Sequence, residues 1–582
     1  MGIVQDFYSM FSGPNRVKNG ESVTDTNLVP ELALSMSDDE LIELTENWHK
    51  TATVYQEDIQ KKQEDNRRYW MGQQFSTAET IAGHPLMENL IFEAVETFLP
   101  MATKKNPEPM VSADDTEEGK QLADTVQKML VKKADENHLK LKIKSATRNW
   151  AIDMIGCAMP NWSEKKNDVC LEIVKPEDLL LDKDAYIDED LEYTGEFVGR
   201  KKKEKASVLV QRFPFRKSFI TSKVDGKMAT KVSYIEWWTD EYVVWTLDKT
   251  VLGKAKNPNW NYDFEKESVD KFGEPTIKTI QGNNHFQYPK KPFVFLSIFS
   301  LKGQPHDVTS LIGQNLSLQD LINKRLRQFD ENVGKTNGGL AISGDSGLNK
   351  EQAAEAAESF RNGDGVYVTS GDPKNVVSAI TVGQVAPEIF QQQSDARDSL
   401  RNVFGVRGSS PSGTVREQTA TGKSLVREQD SDRVGGGVSE YLEQFADAIY
   451  NHWVQLMYVY YEEEHSATVV GKERASEYIK LKNTDFISKL TISVKEGSLI
   501  PHDDVSEAEQ AIKLAELGKI DDITLFDRLD YPNPREMAKA IWLQTNDPLT
   551  YFANDPEVAS VIQKQEAMAL QAQQLNPNAT VQ

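Results

Sequence analysis

Residues 306–335 read HDVTSLIGQNLSLQDLINKRLRQFDENVGK, and this stretch decides how the rest of the chain is read. Leu311, Leu318, Ile322, Leu326, Phe329 and Val333 recur at spacings of seven, four, four, three and four residues. That period puts them on one stripe of an amphipathic helix. Thr336-Asn337-Gly338-Gly339 stops the pattern. Upstream, Pro292–Ser300 is a short apolar run, expected to be a buried strand. Downstream lies a compact insert with a strand at Leu340–Ser343, a helix capped by Asn349 and reaching about Asn362, and a strand at Val366–Thr369. A second helix follows, with Pro387 in its first turn and Phe404 at its end. Two helices thus flank a strand-helix-strand insert.

Working outward, residues 405–420 are a Gly/Ser/Pro loop. A long helical pattern runs from Thr421 to Glu464, interrupted by Gly435-Gly436-Gly437. Three glycines cost roughly 2–3 kcal/mol of helix stability, so a kink is expected there. Beyond it Tyr441, Leu442, Phe445, Ile449, Trp453, Leu456 and Tyr460 form a strongly apolar face. Strand signals return over 477–496, and residues from Asp503 on read as helices with short connections at Gly518 and Tyr531–Pro534. Toward the N-terminus, Ser37 and Glu40 form a capping box for a helix reaching about Met71. Further helices are expected over Pro85–Thr103, Thr116–Lys133 and on to about Met159. Val169–Val174 reads as a strand, 232–238 and 242–247 as a hairpin, and 253–290 as a loop-rich excursion. Residues 1–38 read as an arm. The expected class is α+β, mainly α.

Composition narrows the function. The 582 residues exceed one ordinary core, and 39% apolar content supports several. No run of about 18 apolar residues is present, so no bilayer span is expected. The first residues lack the basic and apolar regions of a secretory signal, and Asp6 stands where myristoylation needs Ser or Thr. Two cysteines, Cys157 and Cys170, build neither a disulfide framework nor a four-ligand zinc site, which fits a reducing cytoplasm. With 67 basic against 90 acidic side chains the net charge is −23, so the bulk surface repels phosphate.

The candidate chemistry is sparse. Thr421-Gly-Lys-Ser424 ends like a phosphate loop, but Glu417 replaces the required glycine. Asp182, Asp184 and Asp188 begin like a calcium loop, but Tyr186 and Ile187 hold positions that need a ligand and a glycine; a solvated turn is expected. The eight histidines have no metal-ligand spacing, and no G-x-S-x-G elbow occurs. Arg200–Lys205 is the densest basic run, read as a solvated helix start over a nucleic-acid contact. Neither an enzyme nor a cofactor is indicated.

The order of units after residue 290 resembles the portal proteins of tailed bacteriophages, of the podovirus-like kind. Local phrases agree: Gln319-Asp320-Leu-Ile-Asn323-Lys-Arg325 resembles the family's stem helix. Leu400-Arg-Asn-Val-Phe-Gly-Val406 resembles its helix end before the tunnel loop. Val174-Lys-Pro-Glu-Asp178 with Asp182 resembles a wing phrase. The resemblance implies an arm (1–38), a wing (39–305 and 465–502), stem helices (306–337 and 385–404), a clip (338–384), a tunnel loop (405–420) and a long kinked helix (421–464). It further implies a crown (503–545) and a helical tail (546–582), with a C-terminal barrel left open.

The resemblance also implies function. Subunits would form a ring of twelve at one capsid vertex, and double-stranded DNA would slide through it during packaging and ejection. A mostly acidic surface with a few placed basic residues suits such passage. The candidates facing DNA are Lys324, Arg327 and Lys335 on the first stem helix, and Arg407 and Arg416 in the loop. Lys324 and Arg327 share one side of the helix, whereas Arg325 is expected at a subunit contact or in the core, as is Trp453. The mobile loop residues would be Gly405, Gly408, Ser409, Ser410 and Gly413. Glu351, Glu355, Glu358 and Arg361 of the clip would meet the terminase large subunit and then head-tail adaptor or tail proteins. Major capsid and scaffolding proteins are the other implied partners, in the virion and, during assembly, in the host cytoplasm; no membrane is implied. The rival reading is a head-to-tail adaptor or virion scaffold without a channel; a packaging motor is disfavoured by the missing phosphate loop.

Overall fold

The computed structural model describes residues 35–75, 86–103, 106–188, 192–269, 275–300, 303–336, 339–342, 349–361, 377–380, 387–406, 435–462, 464–470, 476–486, 489–495, 511–529, 531, 534–546 and 564. The chain divides into two compact units, one of residues 1–465 and 481–500, the other of 466–480 and 501–582. The architecture is mainly helical with several small antiparallel sheets.

The first unit opens with helix α1 (Asp38–Trp70), where the Ser37 side chain caps the backbone N–H of Glu40 and the Glu40 carboxylate accepts from Ser37. Helix α2 (Leu90–Ala102) starts later than the apolar pattern suggests, because Asn89 is its N-cap. Strand β1 (Pro109–Ser112), helix α3 (Glu117–Glu136) and helix α4 (Leu139–Asp153) follow. The expectation that the fourth helix continues to about Met159 is corrected. Met154 turns left-handed at φ 64°, its N–H bonds Trp150 O, and the chain leaves as strand β2 (Gly156–Ser163). A side chain at Gly156 would lie 2.7 Å from the Ala146 carbonyl oxygen, so only glycine lets the strand pass the helix this closely.

Strand β2 pairs with β3 (Asp168–Ile173). A five-stranded antiparallel sheet follows in simple order: β4 (Leu179–Leu181), β5 (Val198–Lys205), β6 (Lys231–Trp238), β7 (Tyr242–Leu247) and β8 (Thr250–Lys256). Two short helices, α5 (Ala206–Arg212) and α6 (Lys217–Lys223), connect β5 to β6. One sheet face packs Phe197, Trp237 and Val244 against Leu41, Trp48 and Ala52 of α1, with Trp48 stacked on Phe197 at 4.8 Å. The other buries Val198, Tyr234 and Trp245 with Leu209, Phe213 and Phe295. The basic run Arg200–Lys205 is therefore a strand of this sheet and not a helix start.

The excursion over 253–290 carries the end of β8 and a hairpin of β9 (Phe264–Val269) with β10 (Pro275–Ile280). Of the apolar run 292–300, only Val294–Leu296 is a strand, β11, which pairs with β2. Helix α7 runs Leu316–Thr336, so the helical reading from His306 is corrected at its start. Asp307 is bound instead by the Trp150 indole at 2.6 Å, the Ser297 hydroxyl at 2.6 Å and the Ile298 N–H at 2.9 Å. These bonds fix 306–308 as an anchored loop. Ser310 then accepts the Gly313 N–H at 2.7 Å and starts a tight turn, Gly313–Asn315, leading into the helix.

The insert shows β12 (Gly339–Ile342), α8 (Lys350–Arg361) and β13 (Val377–Ile380), with β12 and β13 antiparallel. The strand read at Val366–Thr369 lies outside the described residues. Helix α9 spans Pro387–Phe404. Residues 407–434 lie outside the description; at the glycine triplet a wide π-turn, Gly435–Ser439, precedes α10 (Glu440–Tyr460). Glycines hold a regular helix poorly, which suits this local widening. Within α10, Leu442, Phe445, Ile449, Trp453 and Leu456 are buried. The second unit's strands are β14 (His465–Val470) and β15 (Ser476–Leu481). Strand β16 (Thr491–Val494) returns to pair with β1 in the first unit, and helices α11 (Asp522–Arg528) and α12 (Pro534–Asn546) belong to the second.

Candidate functional site: a polar root beneath two antiparallel helices

Helices α7 and α9 run antiparallel on either side of the insert: Arg325 Nη2 reaches Gln392 Oε1 at 2.7 Å, and one helical turn further Phe329 meets Phe390 edge-on at 5.4 Å. Their apolar seam is thin. Ile322, Ala396, Leu400 and Phe404 are buried, but Leu318 and Leu326 are half-buried and Phe329 is exposed.

Beside Ile322, a polar stripe is buried as deeply along α7 and the turn that leads into it. Asn315 and Gln319 are fully buried and Asn323 is 2% exposed, at spacings of four residues. The Gln319 amide donates to Glu88 O at 2.6 Å and to Asn323 Oδ1 at 3.2 Å, and accepts the Leu90 N–H at 3.2 Å. Asn323 donates to Gln74 Oε1 at 2.6 Å and accepts the Glu88 N–H at 3.3 Å. Gln74 passes the chain of bonds to Tyr69 O and to Asn89, the N-cap of α2. One turn below, Asn315 donates to Leu311 O at 2.7 Å. A buried amide is stabilised when so partnered, and the bonds of Gln319 and Asn323 match α7 to one register against the ends of α1 and α2, whereas Asn315 Oδ1 is buried without a hydrogen-bond partner.

Ion pairs surround the ladder. Arg397 of α9 donates to Glu88 at 3.2 Å and Arg401 to Glu93 at 3.0 Å. The Tyr69 hydroxyl donates to Asp320 at 2.7 Å, and burial followed by that bond raises its pKa above the usual phenol value. Arg67 holds Asp153 at 2.7 Å, yet burial outweighs the guanidinium and pushes this carboxyl up to about 6. Helix α9 ends in a left-handed Gly405, φ 71°, whose N–H bonds Asn402 O while Val406 N–H reaches back to Arg401 O. This is a Schellman terminus with Val406 tucked under it.

The residues singled out from the sequence fall as follows. Lys324 is exposed, and Arg327 lays its guanidinium over the Phe75 ring at 4.9 Å. Lys335 lies in the last turn of α7. Arg325 bonds Gln328 and Gln392 within its own chain. Gly405 serves as the helix terminus; Arg407, Gly408, Ser409, Ser410, Gly413 and Arg416 lie outside the described residues. Glu351, Glu355 and Glu358 are exposed along α8, which ends at Arg361. Trp453 is wholly buried, its indole donating to Cys170 O at 3.1 Å. Among the described residues no group of His, Cys, Asp or Glu could hold a metal, and no helix is long and apolar enough to cross a membrane. The amide stripe itself was missed; its signal was Asn315, Gln319 and Asn323 at i, i+4 and i+8, hidden beside a more conspicuous apolar stripe.

The family of phage P22-like portal proteins matches residues 46–582, and the chain belongs to that family. It is thus a structural protein of the phage capsid vertex. No curated protein matches the chain.

Proposed function

We propose that this portal protein assembles into a closed ring, twelve subunits in the simplest case, whose channel passes double-stranded DNA into the capsid and out of it. The reading rests on one observation above others: in a P22-like portal chain, the α7–α9 pair is locked to the body by buried amides and ion pairs, so its insert is carried on a fixed stalk. The insert, 338–384, is the clip; its Glu351, Glu355 and Glu358 offer charge for the terminase large subunit during packaging and for adaptor or tail proteins afterwards. Lys324 and Arg327 touch phosphates weakly, and Arg407 and Arg416, which lie outside the described residues, are the further candidates for that contact. Major capsid and scaffolding proteins surround the wing, and assembly proceeds in the host cytoplasm.

Electron microscopy of the purified chain tests the ring: a closed annulus with a central hole is expected, and a monomer under all conditions refutes the reading. Lys324→Ala with Arg327→Ala should leave rings intact and lower genome packaging or retention. Unchanged packaging would remove these residues from the channel.

A further inference from the structure

The basic run Arg200–Lys205 has two faces. Arg200 and Lys202 point to one side and are neutralised, Arg200 by Glu172 and Lys202 by Glu236 at 3.2 Å. Lys201, Lys203 and Lys205 point to the other, because side chains alternate along a strand. Lys205 stands opposite Lys231 and Lys203 opposite Ser233, while β7 joins β6 only from Ile235 onward. The end of the β5–β6 ribbon thus runs beyond the sheet as two strands. Lys203, Lys205 and Lys231 are exposed there and meet no ion-pair partner among the described residues. Lys203 feels the charge of Asp178, but a basic face without ion pairs is still unexpected in a chain of net charge −23.

The opposite end of the same sheet is acidic. Asp240, in the turn after β6, lines a cleft of about 930 Å³ between that turn, the 286–294 segment and the first turns of α10. Five carboxylates, Asp188, Glu192, Asp240, Glu440 and Asp447, face two lysines, Lys290 and Lys291. Both lysines are already used, Lys290 by Glu192 and Lys291 by Asp240 at 2.9 Å. Asp447 keeps one buried oxygen, Oδ1, without a hydrogen-bond partner. At about 3.3 Å per residue, the nine steps from Lys231 to Asp240 separate the two charged ends by roughly 30 Å.

We infer that the lysine ribbon of one subunit docks into the acidic cleft of a second copy of this chain, as a head-to-tail contact between neighbouring wings. Charge complementarity commits the ribbon to this occupant. The chain carries both halves at opposite ends of one rigid sheet, the arrangement from which a heterologous interface closes into a ring. A DNA duplex laid on three lysines would also meet the carboxylates of a strongly acidic surface. The inference deepens the ring reading and rests on it.

Charge reversal tests the contact on the full chain, with ring formation read by mass photometry near physiological salt and folding checked by circular dichroism. Lys203→Glu, Lys205→Glu and Lys231→Glu together should raise the subunit concentration needed for rings at least tenfold. Glu440→Lys with Gln444→Lys, both at exposed cleft positions of α10, should do the same. Combining the two sets should restore rings. Normal rings from either set, or a combination no better than its parts, overturn the contact while leaving the ring itself standing. Normal rings with weakened DNA retention in the lysine variant also overturn it and assign the ribbon to nucleic acid. A wild-type chain that never forms rings refutes the ring reading, and the contact with it.

Discussion

Replacing Gln319 with leucine tests whether the amide ladder, rather than the thin apolar seam, holds α7 to the body. The substitution keeps a similar volume and deletes three hydrogen bonds, to Glu88 O, to Asn323 Oδ1 and from the Leu90 N–H. Buried groups stripped of every partner cost about 1–3 kcal/mol each, but all three atoms left behind keep another partner, so the loss is the net worth of three hydrogen bonds, roughly 0.5–1.5 kcal/mol apiece. Asn323 Oδ1 still accepts the Glu88 N–H at 3.3 Å, and the Leu90 N–H still reaches Glu88 O at 3.1 Å. The loss is then about 2–4 kcal/mol in all. Burying leucine in place of an amide returns about 1 kcal/mol, leaving a net cost of about 1–3 kcal/mol. A chain of this size does not unfold in one step, so a global melting point is the wrong readout. Hydrogen exchange of peptides covering 86–102 reads the local opening directly. With tenfold for each 1.4 kcal/mol, exchange there should quicken about 5- to 150-fold while peptides of the five-stranded sheet stay unchanged. Ile322→Ala serves as the apolar control. If Gln319→Leu exchanged within twofold of wild type while Ile322→Ala accelerated it, the amides would be fillers and the reasoning would fail.

Two further outcomes follow from the core. His306 is 3% exposed with neither ring nitrogen hydrogen-bonded, and burial holds its pKa down at about 4. The unfolded chain therefore takes a proton that the folded chain refuses, and this residue removes stability as pH falls from about 6.5 to 4, by about 3 kcal/mol. Asp153 and Asp447, raised to about 6 by burial, act in the opposite direction over the same acid range, so the comparison must be wild type against His306→Phe. The variant should lose less local stability on acidification, read by hydrogen exchange of peptides covering 303–315 and corrected for the intrinsic pH dependence of exchange; equal slopes would mean His306 is solvated. Trp453→Ala should cost about 3–5 kcal/mol and Trp453→Asp more, since an unpaired charge enters the core. Both should reduce soluble monomer as well as rings, and soluble, folded monomer from Trp453→Asp would place this side chain at a subunit contact.

The parts of the fold legible in the sequence are those governed by local chemistry. The Ser37–Glu40 capping box needs only four residues, and it starts α1 where expected. Pro387 at a first turn and Gly405 after a last one bound α9, because the missing N–H of proline and the left-handed freedom of glycine act on their own neighbours. What could not be read depends on distant partners. His306–Ser310 has helical spacing, but Asp307 is held by Trp150 and Ser297 before any helix can claim it. Arg200–Lys205 has poor strand composition, yet β6 beside it supplies the ladder and Glu172 and Glu236 supply countercharge. The root of α7 shows the same limit for the candidate site. Of the apolar stripe read from the sequence, Leu311 and Ile322 are buried, but Leu318, Leu326 and Phe329 are less so than the amides of Gln319 and Asn323 beside them. Hydrophobicity alone ranks an amide as a surface group; only the open backbone groups of Glu88 and Leu90, more than two hundred residues earlier, make burying it favourable. Helices that must keep one register have reason to use bonds with one geometry. Apolar side chains would tolerate a slip of one turn, but Gln319 and Asn323 shifted by one turn would each lose the partners that justify their burial.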